Sequence, residues 1–263
     1  MNFEIPFLPD RSIKPRKDGV SMVMDKGLGI YQASDLVSTA ANIIDFIKLG
    51  FGTSYVTGNL MEKIKIYHKA GIKVYFGGTL FESFLIRQKL DEYLKIIDKF
   101  NIDTIEISDG SSQISHNIKC EIIRRLSTKY TILSEVGSKD AEVHLSSAEW
   151  INEMQSELES GSSYVIAEAR ESGNVGIYDN TGKTEASLVD SILKSVPSEK
   201  ILWEAPMKHQ QVWFIKKLGT NVNLGNIAPA EIIPLETLRL GLRGDTFMDF
   251  LPPEMKKTID KIQ

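Results

Sequence analysis

Cysteine is almost absent from this chain of 263 residues, since Cys120 is the only one. An intrachain disulfide is therefore excluded, and a reducing compartment is predicted. The chain also lacks any run of 18 apolar residues, and its start lacks the charged region and apolar stretch of a secretion signal. These absences predict a cytoplasmic protein that does not bind a membrane.

Charge of one sign is not in large excess either. The 31 Lys and Arg residues stand against 35 Asp and Glu residues, and no block of five like charges occurs. This balance argues against nucleic-acid binding. The four histidines are scattered, and the chain contains no His-Glu-x-x-His, Cys-x-x-Cys or Gly-x-Ser-x-Gly motif. Zinc hydrolases and nucleophile-elbow esterases therefore lose their usual signatures.

What the chain does have is a regular alternation of short apolar runs with stretches of helical periodicity. The predicted strands are residues 21–24, 46–49, 73–76, 104–108, 131–135, 164–169, 201–205 and 221–224. The predicted helices are residues 36–44, 61–70, 84–100, 118–126, 147–158, 188–196, 210–218 and 231–242. Successive strands begin 20 to 37 residues apart, which is the length of one strand with its crossover helix.

Eight such units predict an α/β fold, a single-domain (β/α)8 TIM barrel. The domain spans residues 1–263, with an N-terminal extension over 1–18, a C-terminal tail over 247–263 and a hairpin loop over 173–184. A doubly wound open sheet competes with this prediction, but its first strand is usually followed by a Gly-rich turn. Residues 27–29 and 50–52 begin that pattern, and neither completes it.

Charged residues lie in or after the predicted strands, near their carboxyl ends, where barrels carry their active sites. Four of them are glutamates, namely Glu106, Glu135, Glu168 and Glu204. Four are cations, namely Lys26, Lys48, Lys139 and Arg170. The alternation around Glu106 places Ser108 on the same face, toward the barrel interior. These charges predict either a Mg²⁺ site, because Mg²⁺ prefers carboxylate oxygens, or a buried network of ion pairs that only stabilises the barrel.

Two glycine-containing loops are candidates for anion binding. Gly78 and Thr79 follow the third predicted strand and precede a helix, so their backbone N–H groups would face an anion. Residues 225–229, which include Asn226, follow the eighth predicted strand, where barrels often bind phosphate. Arg243 lies further along and would reach a phosphate or pair with Asp245. A tight turn without a ligand is the alternative for both loops.

Several longer motifs resemble the phosphosulfolactate synthase family. They are residues 25–28, 45–54, 77–82, 105–111, 135–137, 169–173, 204–206 and 236–245. The resemblance implies a (β/α)8 barrel and a Mg²⁺-dependent addition of sulfite to phosphoenolpyruvate. The implied product is (2R)-phospho-3-sulfolactate, the first intermediate of the archaeal route to coenzyme M. The same reaction would also serve the biosynthesis of sulfolactate or a sulfonolipid.

The resemblance also implies roles for single residues. Lys139 is predicted as the general acid, and Lys26 and Lys48 as the residues that hold sulfite and the substrate carboxylate. Arg170, Arg243 and the amides near Asn226 are predicted to bind phosphate. Glu106 and Glu135 are the first candidates for metal ligands, with Glu168 and Glu204 as alternatives. Archaeal members have Gly-Lys-Lys where this chain has Gly137-Ser138-Lys139, so one cation beside Lys139 is missing here.

Two other functions remain open at this point. The family also resembles plant heat-stress-associated proteins, which implies a protective role without catalysis. A barrel lyase that forms a Schiff base at Lys48 or Lys139, as aldolases do, is the other alternative. The charges at the strand ends favour an enzyme, because a binding protein has no need of so many costly charges there. The apolar faces of helices such as 231–242 would also fit a homo-oligomer.

Overall fold

A computed structural model describes residues 2–112, 114–137, 145–169, 172–174 and 176–256. Within them, eight parallel strands form one sheet in the order β3-β2-β1-β8-β7-β6-β5-β4, and β3 and β4 lie next to each other. The strands are β1 (Ser21–Asp25), β2 (Phe46–Leu49), β3 (Lys73–Phe76), β4 (Thr104–Ile107), β5 (Thr131–Val136), β6 (Tyr164–Ala167), β7 (Ile201–Glu204) and β8 (Leu224–Ile227). The sheet is nearly closed, which confirms the (β/α)8 barrel.

Ten α-helices lie between and after the strands in the described part of the chain. They are α1 (Ile30–Ala40), α2 (Thr53–Val56), α3 (Leu60–Lys69), α4 (Gly78–Leu85), α5 (Leu90–Lys99), α6 (His116–Ser127), α7 (Ser147–Glu159), α8 (Ala186–Leu193), α9 (Lys208–Leu218) and α10 (Ile232–Arg239). The helix predicted over 84–100 covers the end of α4 and the whole of α5. The chain turns between them at Gln88, which has a φ of 56° and so cannot continue a right-handed helix.

The eighth strand was predicted three residues too early, at 221–224. The side chains of Asn221 and Asn223 are used in hydrogen bonds at the amino-terminal end of the barrel, where Asn223 accepts from the Val20 N–H at 3.0 Å. The strand itself contains Gly225, at which a Cβ would lie 2.9 Å from Met22 Cε. A Gly and an Asn inside a four-residue strand hide it from a hydrophobicity pattern. Asn226 therefore lies within β8 and not in a loop after it.

The core has two parts. The larger part lies between the strands and the surrounding helices. The smaller part fills the amino-terminal half of the barrel interior with Met22, Tyr75, Leu133, Ile166 and Leu202 among others. Apolar side chains occupy that half, and the buried charged side chains of the strands lie in the carboxyl-terminal half.

The segment before β1 closes the amino-terminal end of the barrel. Arg11 Nε donates to Glu236 Oε1 at 2.9 Å, and Arg11 Nη1 donates to the Thr220 carbonyl at 3.1 Å. The loop after β6 includes an antiparallel bridge between Tyr178 and Thr184, in agreement with a hairpin. Among the described residues, no helix combines the length and the apolar character needed to cross a bilayer.

Candidate functional site

A cavity of about 330 Å³ opens at the carboxyl-terminal ends of the strands. It is lined by Met24, Lys48, Phe51, Gly77, Gly78, Thr79, Glu106, Glu135, Glu168, Ala169, Ser172, Glu204 and Asn226. Each of β1, β2, β4, β5, β7 and β8 contributes at least one of these side chains, and Glu168 follows β6 directly. The barrel geometry thus gathers residues that lie up to 202 positions apart in the sequence, from Met24 to Asn226.

Lys48 is the centre of this group. It is the third residue of β2, and its Nζ lies 2.8 Å from Glu106 Oε2. The same nitrogen lies 3.4 Å from Glu135 Oε2 and 3.4 Å from Glu204 Oε1. We name Glu106, Glu135, Glu168 and Glu204 the carboxylate cluster; all four are at most 2% exposed. The structure therefore brings together the four glutamates that the sequence placed at strand ends.

The pKa values in the cluster reflect burial and the proximity of like charges. Burial disfavours the charged form of Lys48, but Glu106, Glu204 and Glu135 outweigh this effect and hold its pKa well above the usual value. Burial raises the pKa of Glu204 to about 7, with Lys48 acting against the shift and Glu135 adding to it. Lys48 is therefore an ammonium at neutral pH, whereas the pKa of Glu204 lies near neutral pH.

Three carboxylates of the cluster converge closely enough to hold one cation. Glu135, Glu168 and Glu204 each offer an oxygen, and these oxygens lie within 4.8 Å of one another. Asn226 Oδ1 is also buried and lacks a hydrogen-bond partner among the described residues, and Asn226 lines the same cavity. A set of oxygen donors without sulfur or imidazole suits Mg²⁺ better than zinc. The residues present thus fit the metal that the sequence predicted.

Glu106 lies beside these three carboxylates and contacts Lys48 and Gly78. Lys48 Nζ lies near its Oε2, and the backbone N–H of Gly78 donates to its Oε1 at 2.5 Å. The N–H that the sequence assigned to a substrate anion is therefore bonded to Glu106. Gly78 fits here because a Cβ would lie 2.3 Å from Ser108 Cβ and 2.7 Å from Glu106 Oε1.

Glu82 is a buried residue of the site that sequence reasoning missed. Ser108 Oγ lies 2.9 Å from Glu82 Oε1 and 2.9 Å from Glu135 Oε1, and its single hydrogen can be donated to either. The other oxygen of Glu82 accepts from the Ser111 N–H at 2.8 Å. Glu82 follows Gly78 by four residues and so lies on the same face of α4, which is the signal that would have found it.

Asp25, the last residue of β1, is a second missed residue, and it fixes the following loop. Its Oδ2 lies 2.8 Å from Lys63 Nζ and accepts from Tyr67 OH at 3.0 Å. Its Oδ1 accepts from the Gly27 N–H at 2.8 Å. Asp25 is fully buried, so this network sets the path of the chain at Lys26.

The remaining predicted residues differ in their placement. Lys26 follows β1 and is exposed, and Thr79 lines the cavity. Arg243 is partly exposed in the turn after α10, and Asp245 pairs with Lys208 at 2.7 Å. Lys139 and Arg170 lie outside the described residues.

Comparison with known proteins identifies the family. Residues 9–245 match the model of the (2R)-phospho-3-sulfolactate synthase family. The phosphosulfolactate synthase of Methanothermobacter thermautotrophicus is 43% identical over 244 residues, which cover 90% of this chain and 95% of that protein. The phosphosulfolactate synthase of Bacillus subtilis is 42% identical over 243 residues, which cover 91% of this chain and 96% of that protein.

A solved structure supports the fold. The 3-hexulose-6-phosphate synthase of Salmonella typhimurium has a TM-score of 0.53 to this chain at 14% identity, and the match covers 84% of this chain and 98% of that one. At this identity the likeness concerns the barrel alone, since one barrel hosts many reactions. The family model and the two relatives, in contrast, match most of the sequence at high identity. The chain belongs to the (2R)-phospho-3-sulfolactate synthase family.

Proposed function

We propose that this protein is an enzyme that adds sulfite to phosphoenolpyruvate in a Mg²⁺-dependent reaction and forms (2R)-phospho-3-sulfolactate. The observation that carries the proposal is the buried carboxylate cluster around Lys48 at the carboxyl-terminal end of the barrel. The names of the relatives favour the same reaction. A cavity of about 330 Å³ also suits two small substrates.

Glu135, Glu168 and Glu204 would hold Mg²⁺, and Glu106 would keep Lys48 in place beside them. Bound Mg²⁺ would supply positive charge that stabilises the negative charge developing on the substrate carboxylate. The Lys48 ammonium would bind the same carboxylate, because its pKa keeps it charged at every working pH. A charged Lys48 also lacks the free amine that a Schiff base requires, which disfavours the aldolase-like alternative at this residue.

The reaction balances as an addition followed by a proton transfer. The sulfur lone pair of sulfite forms a bond with the methylene carbon, and the double-bond electrons move toward the carboxyl group. A proton then reaches the carbon that carries the phosphate. We assign this proton to Lys139 and the binding of sulfite to Lys26. Arg170, Arg243 and Asn226 would bind the phosphate, and Thr79 and Ser108 would line the substrate site.

The test is an assay of the purified protein with phosphoenolpyruvate, sulfite and Mg²⁺, in which the loss of the enol absorbance is followed with and without EDTA. We expect consumption that requires both sulfite and the metal. The variant Glu135→Gln should lose this activity, whereas Glu121→Gln, the same change at an exposed position of α6, should keep it. A folded wild-type protein that consumes no phosphoenolpyruvate would refute the proposal.

A further inference from the structure

Lys119 lies behind β5, on the side of the strand that faces α6 and α7. It is completely buried, although lysine is among the residues that are least often buried. Its Nζ lies 2.6 Å from the Glu135 carbonyl oxygen, 2.7 Å from Glu157 Oε1 and 2.8 Å from Asp109 Oδ1. Three acceptors thus match the three hydrogens of one ammonium group.

These contacts connect the backbone of Glu135 to its own carboxylate through Lys119, Asp109 and Ser108. Lys119 binds the backbone of Glu135 from outside the barrel and also binds Asp109. Asp109 is joined through the chain to Ser108, whose hydroxyl lies 2.9 Å from the Glu135 carboxylate on the inside of the barrel. Lys119 therefore touches both segments that determine where the Glu135 carboxylate stands.

The charge of Lys119 makes this attachment strong. Burial disfavours the ammonium, but Glu157 and Asp109 outweigh this effect and raise the pKa of Lys119 above its usual value. A hydrogen bond from a charged donor to a carbonyl is stronger than a neutral one, and a buried bond is weakened little by solvent. The bond between Lys119 and the Glu135 carbonyl is thus short, buried and made by an ammonium that two carboxylates also hold.

We propose that Lys119 is a positioning residue for the metal site, which it supports by fixing the backbone of Glu135 and, through Asp109, the position of Ser108. This inference rests on the proposed role of Glu135 in holding the metal. Metal ligands must stand within a few tenths of an ångström of their ideal distances. A residue that anchors a ligand's backbone from behind therefore affects metal affinity without touching the metal.

The test uses Mn²⁺ alone as the probe, because it accepts the same oxygen ligands as Mg²⁺ and its free form is measured by electron paramagnetic resonance. The variant Lys119→Met leaves two carboxylates without their partner and risks misfolding. The double variant Lys119→Met/Glu157→Met replaces the buried pair with apolar side chains, a change that is often neutral for stability. We expect the double variant to bind Mn²⁺ about 10- to 100-fold more weakly than the wild type.

The matched control is Arg11→Met, which removes a largely buried cation at the opposite end of the barrel. It should lower the melting temperature and leave the Mn²⁺ affinity unchanged. Equal Mn²⁺ affinity in the wild type and the folded double variant would overturn the inference, as would a wild type that binds no Mn²⁺. Turnover is measured separately: a wild type that binds Mn²⁺ but does not consume sulfite refutes the proposed reaction and leaves the affinity comparison intact.

Discussion

The substitution Glu204→Gln tests the electrostatics of the carboxylate cluster in the metal-free protein. Glu204 ends β7, its Oε2 accepts from the Ala169 N–H at 3.0 Å, and its Oε1 lies 3.4 Å from Lys48 Nζ. Burial raises its pKa from 4.5 to about 7. A glutamine has nearly the shape of the protonated acid and keeps one oxygen for the Ala169 N–H, but it cannot ionise.

The expected change in stability follows from the difference between the pKa of Glu204 in the folded protein and its usual value. At about 1.4 kcal/mol per pKa unit, the shift of Glu204 corresponds to about 3 kcal/mol. The folded protein binds this proton more tightly than the unfolded chain does, so the contribution to stability is fully present below pH 4.5. It is lost as the pH rises through 7. Above pH 7 the free energy of unfolding of the metal-free wild type should therefore be lower by about 3 kcal/mol than at low pH, whereas that of Glu204→Gln should not show this loss.

The assay is urea unfolding of both proteins in EDTA at a series of pH values from 4.5 to 8.5. Titrating groups far from Glu204 affect both proteins alike, so the quantity of interest is the difference between the two free energies of unfolding, which reports on Glu204 and the groups coupled to it. We expect this difference to change by about 3 kcal/mol across pH 5 to 8, in favour of the variant. Mg²⁺ at 100 times its dissociation constant should raise the free energy of unfolding of the wild type by about 2.7 kcal/mol and should not raise that of the variant. A difference that stays constant with pH would refute the reasoning.

Three further predictions concern Lys139, Lys48 and Gly78. Lys139→Ala should abolish turnover while phosphoenolpyruvate binding stays measurable by calorimetry, and turnover at the wild-type rate would remove Lys139 from the mechanism. Lys48→Met should lower the melting temperature in EDTA at pH 7, because the carboxylate cluster loses its ammonium, and borohydride with a carbonyl substrate should trap no adduct on the wild-type Lys48. Gly78→Ala should cost about 1 to 3 kcal/mol of stability and most of the activity because its Cβ collides with Ser108. Gly58→Ala, where a Cβ meets nothing within 4 Å, is its control, and equal unfolding midpoints for the two would contradict the predicted collision.

The sequence predicted the barrel because parallel strands that are buried on both faces are nearly continuous apolar runs. In β2 and β7 the only charged residues are Lys48 and Glu204, and both were recognised as site residues for that reason. In β8 the same rule failed. Its Gly225 is small because Met22 and Leu202 lie against it, and this contact between distant parts of the chain leaves no local pattern.

Glu82 and Lys119 were missed for a related reason. Both lie on helices, where a charged residue ordinarily indicates the exposed face, and both are buried here. Their partners are 10 to 38 residues away in the sequence and lie on other elements or loops, as in the pairs of Lys119 with Asp109 and with Glu157. Helical periodicity describes only a helix and its own faces, so contacts of this kind appear only once the neighbouring helices and strands are placed.

The balance of charge in the cavity favours the proposed metal site over a purely structural network of ion pairs. A structural network is stable when each buried charge has a partner, because an unpaired buried charge costs several kcal/mol. Among the described residues that line the cavity, four carboxylates stand against one ammonium, that of Lys48. Glu82, whose Oε1 lies 2.9 Å from Ser108 Oγ, is a further buried carboxylate beside them. A divalent cation held by Glu135, Glu168 and Glu204 would reduce this excess of buried negative charge, which supports the proposed metal site.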